Sequence, residues 1–293
     1  MIEADPVLGF HGPASMMWRV NREAVLLGAG PTALLLQIAH PLVAEAVAAH
    51  SDFRSDPLGR LRRTLDTTLR IVFGDGATAG RAVDRLNRIH SAIEGDTLDP
   101  ASTVATGASD YRALDPELLQ WVQATLLVTS VRAYEAWVAP LTEADREAFW
   151  TEARAVGERL GIPAAVSPAT WTELVDWFEA CLGPAGPITV TPTARSLSGA
   201  ILRPPLPLIP GPLLDVAMLP GLGLLPPRLR REFGIPASTP RHLLTAAMTR
   251  GIRAWVRVLP ANVRAMPQAR AADRRCQRSR RSGSSATIAP ATP

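Results

Sequence analysis

Residues 28–65 read GAGPTALLLQIAHPLVAEAVAAHSDFRSDPLGRLRRTL, and the rest of the chain is organised around this stretch. It starts as an almost uncharged apolar run and ends in a basic cluster, Arg60, Arg62 and Arg63, followed by Thr64. It also holds two of the five histidines, His40 and His50. Because polar side chains are costly to bury without partners, their position here indicates either a hydrogen-bonded core network or a binding site.

Helical patterns extend from this stretch in both directions. Upstream, Ser15 is a predicted N-cap for a helix through Leu26, and Pro41 predicts a kink within the helix that follows. Downstream, two helices are predicted from apolar residues that recur every three or four positions, the first with Leu58, Leu61, Leu65, Leu69 and Val72 and the second with Val83, Leu86, His90 and Ile93. We find no strand pattern, and residues 96–113 are expected to form loop. The sequence therefore predicts an all-α fold, a single compact multi-helix domain over residues 1–265 with nine or ten helices.

Two later segments do not fit a regular helix. Residues 203–227 contain eight prolines and almost no charge. They predict either a buried irregular connection or a lipophilic surface near a substrate entrance or a membrane. Residues 266–293 are rich in Arg, Ser, Pro and Ala without apolar periodicity, so we expect a disordered tail.

The charge of the chain is concentrated in that tail. All 31 basic residues are arginine, and six of them lie in residues 266–293 with one aspartate, which leaves 25 arginines against 26 acidic residues elsewhere. A nearly neutral body does not indicate a nucleic-acid partner. No signal peptide, no apolar run of the ~20 residues needed to span a bilayer and no disulfide framework from two cysteines is evident, so we expect a cytoplasmic protein.

The histidines carry no common metal motif. No zinc-protease spacing or paired-cysteine motif occurs, and Gly28–Gly30 lacks the third glycine and preceding strand of a dinucleotide loop. His90, on an apolar stripe, is either a core histidine or a ligand such as the proximal ligand of a haem iron. Arg60 and Thr64 share a helix face, which suits either an ion pair with Asp56 or a pocket for an anion or activated oxygen.

Several ordered motifs give the chain a family resemblance. They are Gly12–Ser15 with Trp18, LLLQIAHP (34–41), AAHSDFRSDPLGRLRRTL (48–65), Arg88–His90 with Glu94–Gly95, DPELLQWVQATL (115–126), AYEAWVAPL (133–141), TPTAR (191–195) and LLPPRLRREFG (224–234). The chain resembles, over about residues 10–265, the haem oxygenase family of the rubber-cleaving latex clearing proteins and the fungal MpaB oxygenase.

The resemblance implies an all-α fold that holds one b-type haem with its iron and oxidises or cleaves an alkene with O2. It places His90 as the proximal iron ligand and Arg60 and Thr64 as the catalytic pocket residues. Arg63, where the latex clearing proteins keep a distal lysine, joins His40 and His50 as the other cofactor-binding candidates, although the two histidines have no assigned role. Gln123 is a departure, since relatives often have histidine there.

The predicted function is therefore a haem b-dependent oxygenase that acts with O2 on a lipophilic substrate such as an isoprenoid or another alkene. Two alternatives stay open from the sequence. One is a haem protein with peroxidase-like or dehydrogenase-like activity, and the other is a non-catalytic helical module that binds a lipid or a partner protein. Peripheral contact with a membrane is compatible with each.

Overall fold

The computed structural model describes residues 2–51, 57–204 and 210–285, without the side chains of residues 57, 58, 60, 61 and 282–285. The first half of the chain contains α1 (Met16–Asn21), a 3-10 helix (Ala24–Ala29), α2 (Gly30–Ile38), α3 (Pro41–His50), α4 (Pro57–Phe73), α5 (Gly76–His90), β1 (Glu94–Asp96), α6 (Pro100–Thr106), β2 (Asp110–Arg112) and α7 (Pro116–Trp137). The second half contains α8 (Glu143–Arg159), α9 (Trp171–Leu182), α10 (Pro192–Leu202), α11 (Gly211–Ala217), α12 (Leu219–Leu222), α13 (Pro227–Glu232), α14 (Thr239–Val258), α15 (Ala261–Arg264) and α16 (Pro267–Ser285). The fold is all-α, as the sequence predicted.

The break between α2 and α3 shapes the central part of the fold. We expected a kink within one helix at Pro41, but α2 ends at Ile38 and Pro41 begins a new helix. His40 has an extended backbone (φ −80°, ψ 120°), the conformation that a following proline favours. The stretch Ala24–Ile38 and α3 meet at 104°. In the described parts of the chain, no single helix has the length and apolarity of a membrane span, and only this bent pair reaches both when its halves are combined.

The hydrophobic core is built on large aromatic side chains. Ser15 caps α1 as predicted, with its hydroxyl accepting from Trp18 N at 3.1 Å. The Trp18 side chain is fully buried, and its ring meets Phe73 of α4 edge to face, with 5.1 Å between the ring centroids. In α7, Trp121 stacks on Phe178 of α9 at 5.2 Å. The predicted helix from Ser15 to Leu26 is shorter than expected, since α1 ends at Asn21 and a 3-10 helix follows.

Helices α4 and α5 form a hairpin whose two-residue link is tightly held. Gly74 N donates to Arg70 O, and a Cβ at Gly74 would lie 2.3 Å from that carbonyl oxygen, so glycine is required there. Asp75 caps α5 by accepting from Thr78 N at 2.8 Å. Ile71 of α4 shares a small buried cluster with Ala79, Ala82, Val83, Phe10 and Val156. This end of the hairpin is therefore closed and packed.

A short two-stranded ladder follows α5, where the sequence predicted loop and no strands. β1 and β2 pair antiparallel, with Gly95 opposite Tyr111. Strands of three residues are too short to show an alternating pattern, and this is why sequence periodicity missed them. Along the chain, helix α6 connects the two strands, with Asp99 as its N-cap.

The proline-rich segment divides into an exposed part and a buried part. Residues 205–209 lie outside the description. Helix α11 is largely exposed, with Leu213 at 59%, whereas residues 218–222 are buried and Leu225 is only 1% exposed. The buried connection that the sequence predicted is therefore found in the second part, where the backbone forms short helices and is not irregular.

The structure differs from the predicted C-terminal disorder over residues 267–285, which form α16. Ala269, Ala272 and Cys276 are at most 3% exposed. Arg275 donates to Val7 O and Phe73 O at 2.9 and 2.8 Å, next to the α4–α5 link. The helix escaped detection because its buried positions carry only small side chains, and arginine dominates its composition. Residues 286–293 lie outside the description.

Candidate functional site

The open end of the α4–α5 hairpin, where α4 begins and α5 ends, carries most of the sequence positions that predicted a site. Ile71 and Val83 belong to one cluster at the closed end. Thr64 and His90 each lie seven residues further along their helices, which is two turns, or about 10.5 Å. Because seven residues return to the same face of a helix, Thr64 continues the face of Ile71 and His90 continues that of Val83. Counted from the link at Gly74 and Asp75, Thr64 is ten residues along α4 and His90 is fifteen residues along α5, so His90 lies about level with the first turn of α4, which carries Arg60.

The imidazole of His90 lies half-buried at the last residue of α5. Burial lowers the pKa of His90 below its usual value, because removal from water disfavours the charged ring. Its Nδ1 atom is buried and has no hydrogen-bond partner within the described residues. A neutral imidazole with an unused nitrogen is the form of histidine that binds a metal.

The distal candidates lie on the opposite helix. Arg63 and Thr64 are exposed, and Thr68 Oγ1 donates to Thr64 O at 3.1 Å. The backbone of Arg60 lies in α4, one turn before Thr64, but its side chain is outside the described residues. Helix α4, which carries this group, packs against α5, which ends at His90, and the roles of these residues stay predictions.

His50 reaches the same region from the end of α3. Its Nε2 lies 3.2 Å from the backbone oxygen of Glu94, four residues after His90. A carbonyl oxygen can only accept, so Nε2 is the donor in this contact. The His50 ring also meets Tyr111 edge to face, with 6.0 Å between centroids. The β1–β2 ladder thus holds His50 near the open end of the hairpin.

A buried carboxylate lies one turn further into α3. Glu45 is 4% exposed, and it accepts from Ser102 Oγ at 2.9 Å and from Leu98 N at 3.2 Å. Burial is the largest cause of a raised pKa at Tyr111, and the negative charge of Glu45 adds to it. Ser102 and Tyr111 were missed by sequence reasoning, since neither lies in a recognisable motif or stripe.

His40 has a different environment from the other candidates. It lies 6.4 Å from Trp121 between ring centroids, and burial lowers its pKa to about 4, with Asp115 opposing the shift. Its Nδ1 is buried without a partner in the part of the chain that is described. These neighbours belong to α7 and its cap, so the described contacts associate His40 with the core and not with the hairpin.

Gln123, the departure noted in the sequence, faces α8. Its Nε2 donates to Ala153 O at 3.0 Å, and a Cβ at Gly157 would lie 2.8 Å from that nitrogen. The glutamine therefore fills a close contact between α7 and α8. No group of three or more His, Cys, Asp or Glu suited to a metal ion occurs among the residues that the structure describes.

Comparison with known proteins identifies the family of the chain. No curated protein and no solved structure matches the chain. A family model described as "ER-bound oxygenase mpaB/B'/Rubber oxygenase, catalytic domain" matches residues 18–260. This range covers α1 to α14, including the hairpin and the ladder beside it, and it confirms the resemblance found in the motifs. The chain belongs to the mpaB and rubber oxygenase catalytic-domain family.

Proposed function

We propose that this protein is a haem b-dependent oxygenase that acts with O2 on a lipophilic substrate, and that His90 is the axial ligand of the haem iron. The observation that carries the proposal is the environment of His90, a half-buried imidazole whose pKa is lowered by burial and whose Nδ1 has no partner among the described residues. Membership of an oxygenase family supports the reaction class.

The residues at the hairpin fit a haem iron better than a metal ion that is held by several protein ligands. A haem iron needs a single axial imidazole from the protein, because the porphyrin supplies four nitrogens. His90 offers one imidazole on a rigid helix, and the first turns of α4 carry Arg60, Arg63 and Thr64. When bound, haem supplies the O2 chemistry, and the protein supplies the ligand, the polarity of the pocket and the shape of the substrate site.

The residues of α4 contribute charge and hydrogen bonds. A guanidinium keeps its proton and has no lone pair, so Arg60 and Arg63 stabilise a negative charge without binding iron themselves. The hydroxyl of Thr64 both donates and accepts, and it can therefore orient a polar group between the two helices. These roles follow from chemistry and position along α4.

Apolar groups at the surface near the open end support a lipophilic substrate. Ile89, adjacent to His90, is 46% exposed, and Leu98, whose backbone N contacts Glu45, is 81% exposed. Val104 of α6 is also highly exposed. Exposed apolar side chains beside a polar site suit the binding of a lipophilic molecule.

The first test is the absorption spectrum of the protein after reconstitution with haem b. We expect a Soret band in the parent and its loss or strong shift in His90→Ala. His242→Ala is the matched control, since His242 is exposed and its described ring contact is with the backbone oxygen of Ser238, the N-cap of its own helix. An unchanged spectrum and full haem content in His90→Ala would refute the ligand assignment.

The second test separates an oxygenase from the alternatives. Oxygen consumption that depends on an added isoprenoid alkene, with an oxygenated product, supports the proposal. A Soret band without substrate-dependent oxygen uptake, but with peroxide-dependent oxidation, would indicate a peroxidase-like protein. Failure to bind haem at all would favour a non-catalytic module.

A further inference from the structure

Helix α14 and the segment after it have an unusual charge composition. Residues 233–272 contain six arginines and neither aspartate nor glutamate. Residues 1–232 contain 20 arginines against 26 acidic residues, so residues 233–272 are a local positive region. Arg250, Arg253 and Arg257 have no ion pair with any residue that the structure describes.

The surface of α14 is also apolar along one stripe. At 100° per residue, Leu243, Leu244, Trp255 and Val258 fall within a sector of about 120° that also includes Ala247 and Ala254. Leu243, Trp255 and Val258 are 67%, 67% and 73% exposed. Val263 of α15 extends the apolar surface at 60% exposure.

The three arginines form one edge of this stripe. Arg250, Arg253 and Arg257 recur at intervals of three and four residues, on the side next to Leu243. The opposite side of α14 faces the protein, where Val256 is buried and the helix packs on α12 and α7. The helix therefore has a packed face, an exposed apolar face and a basic edge between them.

We infer that α14 and α15 form a docking surface for an anionic lipid bilayer. An apolar stripe containing Trp beside arginines is the arrangement of helices that lie in a membrane interface, with the apolar side chains among the acyl chains and the cations at the headgroups. The charge complements anionic headgroups. It also disfavours a second copy of this chain as occupant, because two such surfaces would repel each other.

The apolar stripe distinguishes a bilayer from a nucleic acid. Phosphate backbones are bound by basic and polar side chains, and neither Leu243 nor Val258 can contribute to such contacts. A bilayer uses both parts of the surface, so binding should depend on the arginines and on the aliphatic residues separately.

The test is cosedimentation of the full chain with vesicles. We expect binding to phosphatidylcholine vesicles that contain about one-third phosphatidylserine and weak binding to phosphatidylcholine alone, with loss at high salt. Arg250→Gln with Arg257→Gln should weaken binding by about fivefold per arginine. The control variant Arg19→Gln with Arg81→Gln has the same net charge, but its substitutions lie in α1 and α5. It should bind vesicles as the parent does.

Two further variants test the apolar stripe. Leu243→Ser with Val258→Ser should reduce vesicle binding and leave thermal stability unchanged, because both side chains are exposed. The blue shift of tryptophan fluorescence on vesicle binding should be lost in Trp255→Ser. Equal binding to both kinds of vesicle would overturn the proposal. So would tight oligonucleotide binding that needs the arginines but not Leu243 and Val258, or a dimer that the serine variant converts to monomer.

Discussion

Gly95 lies directly opposite Tyr111 in the β1–β2 ladder, where a Cβ at Gly95 would be 2.7 Å from the tyrosine hydroxyl. That distance is shorter than a van der Waals contact, so a larger residue must displace the ring. The same ring meets His50 edge to face. The glycine thus determines where the tyrosine lies, and the tyrosine contacts a residue close to the proposed haem site.

Gly95→Ala should therefore destabilise the protein by about 1–2 kcal/mol, the usual cost of moderate overpacking. The matched control is Gly80→Ala in α5, where a Cβ would have no atom within 4 Å. Because alanine is the better helix former, this control should be neutral or slightly stabilising. Urea unfolding measures both, and equal stability of the two variants would contradict the prediction.

Removal of α16 should destabilise the whole protein. A chain that ends after Met266 loses the buried side chains of Ala269, Ala272 and Cys276, and it also loses the ion pair between Arg22 and Asp273 at 2.9 Å. We expect a clear fall in melting temperature, measured by circular dichroism. An unchanged melting temperature would show that the docked helix contributes nothing to stability.

A single substitution in α16 isolates the contact with the hairpin. Arg275→Gln removes a charged donor to Val7 O and Phe73 O, and it should cost about 1–3 kcal/mol. Its neighbour Arg274 is exposed, so Arg274→Gln should have little effect on the free energy of unfolding. The two substitutions remove the same charge from adjacent positions. A similar loss of stability in both variants would therefore argue against a specific contact of Arg275.

Two buried histidines should make the protein sensitive to acid. Burial lowers the pKa of His11 and of His40 from 6.5 to about 4. Between these values the unfolded chain binds more protons than the folded one, so stability is fully present above pH 6.5 and falls as the pH drops toward 4. Each histidine should cost about 2 kcal/mol at pH 5 relative to pH 7.5.

The measurement is urea unfolding of the haem-free protein at both pH values. His40→Gln should be less stable at neutral pH and should have a smaller loss on acidification. His242→Gln, at an exposed position, is expected to retain the full pH dependence. A parent protein whose stability is independent of pH over this range would contradict the prediction.

Arg63 lies where the latex clearing proteins keep a distal lysine, and this difference should change the spectrum of the haem-bound form. Arg63 has no lone pair to offer iron, so we expect ferric haem with an open or water-bound sixth position and a high-spin electron paramagnetic resonance signal. Arg63→Lys supplies a side chain that can lose its proton and bind, and it should give a low-spin signal at raised pH. Arg62→Lys, the adjacent exposed position, should keep the parent spectrum. A low-spin signal in the parent would mean that a second histidine binds the iron.

The sequence was sufficient to predict the helices that carry the site. His90 follows Val83 and Leu86 at helical spacing, and its place on the inward stripe of α5 could be predicted from that period. The hairpin geometry also follows from two adjacent stripes and a short glycine-containing link. The roles of His90, Arg60, Arg63 and Thr64 nevertheless remain predictions, because spacing locates a side chain without identifying its ligand.

Other features depend on contacts that no local pattern encodes. Tyr111 was missed because a three-residue strand has no detectable alternation. The docked helix α16 was missed because it is held by alanines and by arginine donors to remote carbonyls. The neighbours of His40, which stays a predicted cofactor residue, could not be found from its motif, because Asp115 and Trp121 lie 75 and 81 residues further along the chain.

The clamped link between α4 and α5 also has a consequence for evolution and engineering. The number of residues in each helix determines where the candidate site residues lie relative to Gly74. Thr64 and His90 lie two turns beyond the packed residues Ile71 and Val83. One residue inserted between Val83 and His90 would turn the imidazole by about 100° and shift it by about 1.5 Å. Length changes in these arms should therefore be tolerated only in whole heptads.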